Sequence, residues 1–94
     1  MQKAAVIGVG AMGRNHARVY DEMPDVELVG VVDPHPETVQ EVARLRHVAA
    51  HTDFRAMLEQ VQPDIVSVVV PTSLHYQVVL DALAAGCHVL VEKP

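Results

Sequence analysis

The stretch Ala5-Val6-Ile7-Gly8-Val9-Gly10-Ala11-Met12-Gly13 runs apolar and then sets three glycines at the spacing G-x-G-x-x-G. It predicts a buried strand over residues 3–9 that turns directly into a helix over residues 11–23. Each glycine has its own task in such a turn. Gly8 permits the tight bend, Gly10 lets a pyrophosphate approach the backbone, and Gly13 lets helix and strand pack closely. The backbone from Gly10 through Ala11 and Met12 then presents free amides, at the positive end of the helix dipole, to an anion. Context supports a dinucleotide turn, because a second apolar run over residues 26–32 follows and ends in an acid, Asp33.

Working outward, the rest of the chain alternates strand and helix. Pro34 stops the second strand, and Pro36 with Glu37 suits the first turn of a helix whose apolar face is Val39, Val42 and Ala43. A short strand over residues 48–51 comes next. Thr52 or Asp53 caps a helix that buries Phe54, Met57, Leu58 and Val61. Ile65-Val66-Ser67-Val68-Val69-Val70 reads as the fourth strand, and Thr72 or Ser73 as the cap of a long helix packing through Leu74, Val78, Leu80, Ala82 and Leu83. Gly86 falls where a left-handed residue ends that helix, before a fifth strand over residues 88–92. In the first helix, Met12, Ala17 and Tyr20 are expected inward, with Arg14, His16 and Arg18 toward water or the ligand mouth. Five strands and four helices in alternation predict an α/β fold. It is a doubly wound, Rossmann-like parallel sheet in the order 3-2-1-4-5, with helices on both faces.

Ninety-four residues suffice for one domain, and we expect residues 1–94 to be a single dinucleotide-binding domain. Half the residues are apolar, yet Phe54, Tyr20 and Tyr76 are the only aromatics, so the core is aliphatic, as a buried parallel sheet requires. A net charge of −5 offers no basic stripe for a nucleic acid. No apolar run approaches a membrane span, and the run after Lys3 is too broken by glycine to read as a signal peptide. Cys87 is the one cysteine, which excludes an internal disulfide and fits a buried apolar role in a reducing, cytoplasmic setting. His16, His35, His47, His51 and His88 show no metal-ligand spacing.

In the expected fold, ligands bind beyond the carboxyl ends of the strands, where the strand order reverses between strands one and four. Residues 8–13, Asp33, residues 71–75 and Glu92-Lys93 all fall on that edge. A carboxylate at Asp33 can accept both hydroxyls of an adenosine ribose and repels a 2′-phosphate, which favours NAD over NADP; an Asp opening a turn before Pro34 is the plainer alternative. By position alone, His75 is either a surface histidine or a hydrogen-bonding partner at the cofactor's edge. Lys93 is either a solvated lysine or a donor that stabilises a developing alkoxide.

Three segments carry a family resemblance. Gly8-Val9-Gly10-Ala11-Met12-Gly13-Arg14-Asn15-His16, Pro71-Thr72-Ser73-Leu74-His75 and Ala85-Gly86-Cys87-His88-Val89-Leu90-Val91-Glu92-Lys93-Pro94 together resemble the amino-terminal domain of the glucose-fructose oxidoreductase and inositol dehydrogenase family. The closing Gly-x-His-Val-Leu-Val-Glu-Lys-Pro is the most specific part, since the opening fingerprint is shared by many dehydrogenases. The resemblance implies that the glycine loop holds an NAD(P) pyrophosphate and that Asp33 holds the adenosine ribose. It implies further that Pro71, Thr72 and His75 line the cofactor beside Glu92, and that Lys93 is catalytic in oxidising or reducing a carbohydrate-type hydroxyl. Members of that family continue with a further strand and a larger α+β domain that carries the substrate pocket and usually an Asp-x-x-x-His pair, a pattern these residues do not contain.

The expectation is therefore a nicotinamide-dinucleotide module with little or no turnover alone. Alternatively, another chain completes it as a dehydrogenase, or it is an assembly protein. An apolar fifth strand with Val89, Leu90 and Val91 at an unpaired edge further predicts a homodimer through antiparallel pairing of that strand.

Overall fold

A computed structural model of the chain describes residues 1–92. The elements follow the order β1 (Gln2–Ile7), α1 (Ala11–Glu22), β2 (Val26–Val32), α2 (Pro36–Arg46), β3 (Ala49–His51), α3 (Phe54–Val61), β4 (Ile65–Val68), α4 (Thr72–Ala84) and β5 (His88–Val91). The five strands form one parallel sheet in the order β3-β2-β1-β4-β5. Because every connection is a crossover, helices cover both faces of the central strands, and those strands carry apolar residues on both sides.

The two faces are separate cores divided by β1. Ala4 and Val6 point into a layer with Ala17 and Tyr20 of α1 and Val39, Val42 and Ala43 of α2. Ala5 and Ile7 point the other way, against Met57 and Leu58 of α3 and Val78 and Ala82 of α4. Cys87 completes this second layer and donates from Sγ to the Pro63 carbonyl at 3.2 Å; burial, with the charge of Asp64 adding to it, pushes its thiol pKa up. The thiol is thus a small packed group, as its sequence context implied.

Element ends depart from the periodicity in instructive places. β1 stops at Ile7 and β4 at Val68, two residues earlier than the apolar runs, because Val9, Val69 and Val70 remain buried after leaving the ladder. Burial and strand pairing are different signals, and an apolar run reports only the first. On α4, Leu74, Leu80 and Leu83 are exposed while Val78 and Ala82 pack, so the expected face was too wide. Met12, expected inward, is exposed at the mouth of the glycine turn. Asp53 caps α3 by accepting from the Arg55 amide at 2.9 Å; α4, by contrast, starts after Pro71 with no capping side chain, so Thr72 is its first residue rather than its cap.

Two helices end on non-glycine residues in the left-handed region, His47 after α2 (φ 58°) and Gln62 after α3 (φ 50°). An L side chain in that conformation is disfavoured by roughly 1–2 kcal/mol, part of which glycine recovers. Since His47 is exposed, His47→Gly is expected to stabilise the chain by about 0.5–1 kcal/mol, read as a higher urea midpoint with an unchanged slope.

Candidate dinucleotide site at the carboxyl edge of the sheet

The turn from β1 to α1 has the geometry that its glycines imply. Gly8 adopts φ +95°, and a Cβ there would stand 2.1 Å from the Val69 carbonyl oxygen. A Cβ on Gly13 would stand 1.7 Å from the Gly8 carbonyl oxygen, so the helix can cross the turn only without a side chain. Gly10 differs from both. Its φ is −69°, and no atom lies within 4 Å of the position its Cβ would take. Nothing in the protein requires glycine there; the open space lies where a ligand would approach the backbone. α1 has no side-chain cap and no acid in its first turn, which leaves its amino-terminal amides, from Ala11, Met12 and Gly13, for an external acceptor.

Asp33 stands beside this turn at the end of β2 and is 9% exposed. Its Oδ2 accepts from the Val9 amide at 3.1 Å, tying the acid to the glycine turn itself. Its Oδ1 accepts from the His35 amide at 3.0 Å and lies 3.0 Å from the His35 Nδ1. Burial alone would raise the carboxyl pKa. The hydrogen bonds from the His35 and Val9 amides, with the His35 ring, outweigh it and hold the group below the usual carboxylate range. Each carboxylate oxygen can accept more than one hydrogen bond, so an ionised Asp33 retains acceptor capacity toward a ligand.

A cleft of about 550 Å³ opens from Asp33 across the carboxyl edge, lined by Gly8, Pro34, Phe54, Val70, Leu74 and Gln77 among others. Its lining is largely apolar, with Asp33 at one side, an arrangement suited to a flat heterocycle attached to a sugar. At its α4 side the chain leaves β4 through Val69 and Val70 and enters α4 at Pro71-Thr72, both exposed. His75 Nε2 donates to the Val70 carbonyl at 2.6 Å. That bond pins the turn before α4 and assigns the ring proton to Nε2, since a carbonyl only accepts.

Glu92 follows β5 at the same edge, its amide donating to the Val68 carbonyl at 3.0 Å. Its carboxylate Oε1 lies 3.6 Å from His16 Nε2, while His16 Nδ1 lies 2.9 Å from Ser67 Oγ. The tyrosine hydroxyl of Tyr20 meets the same Ser67 oxygen at 2.7 Å. His16 therefore turns into the fold, beside Glu92 at the carboxyl edge, instead of standing in water. Lys93 lies outside the described residues.

Residues 2–94 match the oxidoreductase family with the NAD-binding Rossmann fold. The chain belongs to this family. It is 42% identical over 94 residues to the D-glucoside 3-dehydrogenase of Escherichia coli, a match that takes in 98% of the chain and 27% of that enzyme. Among solved structures, it superposes on GenD2 from gentamicin A biosynthesis in complex with NAD with a TM-score of 0.93, at 33% identity over 99% of the chain and 27% of GenD2. The scyllo-inositol dehydrogenase of Lactobacillus casei, with bound NAD(H) and scyllo-inositol, gives a TM-score of 0.90 at 26% identity, covering 97% of the chain and 27% of the enzyme. The chain thus spans about a quarter of the length of these relatives.

For this oxidoreductase-family chain, sequence reasoning set Phe54 and Leu74 to pack inward: Phe54 does pack against the second core layer and also lines the cleft, whereas Leu74 is half exposed and lines it. The apolar periodicity that marks a core position also marks a wall for an apolar ligand, and only the tertiary arrangement distinguishes them. Ser67 gave a usable signal that the reading passed over. It is the one polar residue in Ile65-Val66-Ser67-Val68-Val69-Val70, and a hydroxyl buried there needs a partner. Among the described residues, no group of three or more His, Cys, Asp or Glu side chains is placed to hold a metal, and no helix is long and apolar enough to cross a membrane.

Proposed function

We propose that the chain is the NAD-binding part of an oxidoreductase acting on a sugar or polyol hydroxyl. The pyrophosphate is held by Gly8, Gly10, Ala11, Met12 and Gly13, the adenosine ribose by Asp33, and the adenine in the cleft between Phe54 and Leu74. The observation that carries this reading is Gly10: its side-chain position is open and its neighbours impose no constraint, while α1 begins there uncapped. The ionised Asp33 supports NAD over NADP, because a 2′-phosphate would meet its charge. Pro71, Thr72 and His75 line the cofactor on the α4 side, and Glu92 lines it beyond β5. A nicotinamide held here would supply the hydride acceptor or donor, and Lys93, following Glu92 in sequence, would supply a charge and a proton donor at the substrate oxygen. Residues 1–94 act as one cofactor-binding domain, and turnover depends on substrate-binding residues outside them. The buried single thiol of Cys87 fits a reducing, cytoplasmic setting.

The direct test is calorimetric titration of the chain with NAD and with NADP. Saturable binding of NAD, tighter than that of NADP, is expected; no heat and no ligand-detected NMR effect at millimolar NAD would remove the proposal.

A second reading concerns assembly. Leu90 and Val91 are half exposed on β5, at the end of the sheet. An open apolar edge favours pairing with another strand, and antiparallel pairing of β5 with that of a second copy would give a symmetric homodimer. Light scattering at high micromolar concentration is expected to give twice the monomer mass, and Leu90→Lys to return it to monomer. A monomeric wild type argues against this arrangement.

A further inference from the structure

Ser67 sits fully buried in the middle of β4, and its hydroxyl has two partners, both from α1. Tyr20 alone would satisfy it. The second contact, to His16 Nδ1, fixes a ring whose other nitrogen faces Glu92. A carboxylate only accepts, so in the neutral ring the proton belongs on Nε2, toward Glu92, and Nδ1 accepts from the Ser67 hydroxyl. Ser67 in turn accepts from the Tyr20 hydroxyl. Tyr20, Ser67 and His16 Nδ1 then form a hydrogen-bonded line with one direction, and at its end Nε2 faces the Glu92 carboxylate at 3.6 Å, an ion-pair distance.

We propose that His16 is a positioning residue for Glu92. Held by Ser67 on one side, its ring fixes the Glu92 carboxylate at the exit of β5, against the helix whose start faces the dinucleotide. This rests on the reading of Glu92 as a residue that lines the cofactor. The groups facing the ring are Glu92 from the exit of β5, Ser67 from β4 and Tyr20 from α1 itself; Asn15, Val19 and Leu90, which border the small cavity beside the ring, carry no charge. Among the described residues Glu92 is the one charged partner of His16 at ion-pair distance. Protonation at Nδ1 would turn both ring nitrogens into donors, reverse the Ser67 hydroxyl and add an ion pair to Glu92.

The test follows the Glu92 side-chain carboxyl carbon by NMR through a pH titration of the 94-residue chain, with the His16 ring signals followed in parallel. The expected result is a second inflection in the Glu92 signal that coincides with the titration of His16 and disappears in H16N and H16Q. The two variants separate the contacts: the asparagine amide can replace Nδ1 toward Ser67, and the longer glutamine amide can replace Nε2 toward Glu92. H16N is expected to weaken NAD binding about three- to tenfold, the size of one lost polar contact to Glu92, with H16Q within about twofold of wild type. A single Glu92 inflection in the wild type overturns the proposal, as does H16N that binds NAD like the wild type with its melting temperature unchanged. The wild-type titration needs neither a variant nor NAD. A chain that fails to bind NAD would therefore overturn the cofactor reading while the coupling is still decided.

Discussion

Gly13→Ala is expected to cost the chain about 3 kcal/mol or more, enough to unfold a large fraction of a small domain, while Gly10→Ala keeps the wild-type melting curve and loses NAD. The added methyl of Gly13→Ala would lie 1.7 Å from the Gly8 carbonyl oxygen, a backbone atom that no rotamer change can move aside. Relief requires α1 to lift from the turn, which breaks its packing through Ala17 and Tyr20 against Val6. At Gly10 the same methyl meets no atom within 4 Å and the backbone is already in an ordinary region, so stability should change by less than about 0.5 kcal/mol. The methyl instead occupies the space over the first turn of α1, and NAD affinity is expected to fall at least about tenfold, since the ligand must retreat from amides that bind it at hydrogen-bond range. Circular dichroism melts and calorimetry separate the two outcomes. A Gly10→Ala variant that binds NAD normally would mean that the pyrophosphate does not approach at this point.

That contrast also marks how far the sequence could be read. The spacing of Gly8, Gly10 and Gly13 assigns a tight bend to Gly8 and a close helix crossing to Gly13, and the distances at those two glycines agree with it, while Gly10 faces open space. The alternation of strand and helix, with the right-handed crossover rule, leaves few topologies, and the glycine fingerprint on the first strand selects the order β3-β2-β1-β4-β5 among them, as observed. The remainder was illegible for physical reasons. On α4 the exposed Leu74, Leu80 and Leu83 are as apolar as the buried Val78 and Ala82, and apolarity alone does not tell which face meets the sheet. His16 lies one turn before the buried Tyr20 on the same face of α1, but the contact that fixes its ring is to Ser67, 51 residues away, which no local pattern can reveal. The link between Asp33 and the Val9 amide is of the same kind: both residues mark their own turns, and the bond between those turns exists only once β1 and β2 are paired.

Asp33→Asn is expected to remove at least about tenfold of NAD affinity, because hydrogen bonds to a charged acceptor contribute roughly 1.5–3 kcal/mol each, and to narrow the preference for NAD over NADP. The substitution keeps the shape of the side chain and withdraws its charge. An amide group also cannot accept at both ends. Oδ2 of Asp33 serves the Val9 amide and Oδ1 the His35 amide, so the asparagine nitrogen must face one of two backbone donors, and about 1–3 kcal/mol of stability should be lost with the bond. The pH dependence gives a separate check. The carboxyl pKa is lowered in the folded chain, so the ionised form is stabilised by folding; this contribution is fully present above the unfolded carboxylate value of about 4 and is lost as pH falls through the lower, folded value. The stability difference between wild type and Asp33→Asn should accordingly be largest near neutrality and shrink below about pH 4. Urea denaturation at a series of pH values measures it. A difference that stays constant into acid would show that the Val9 and His35 amides do not hold the charge, and with it the ribose contact assigned to that charge would lose its support.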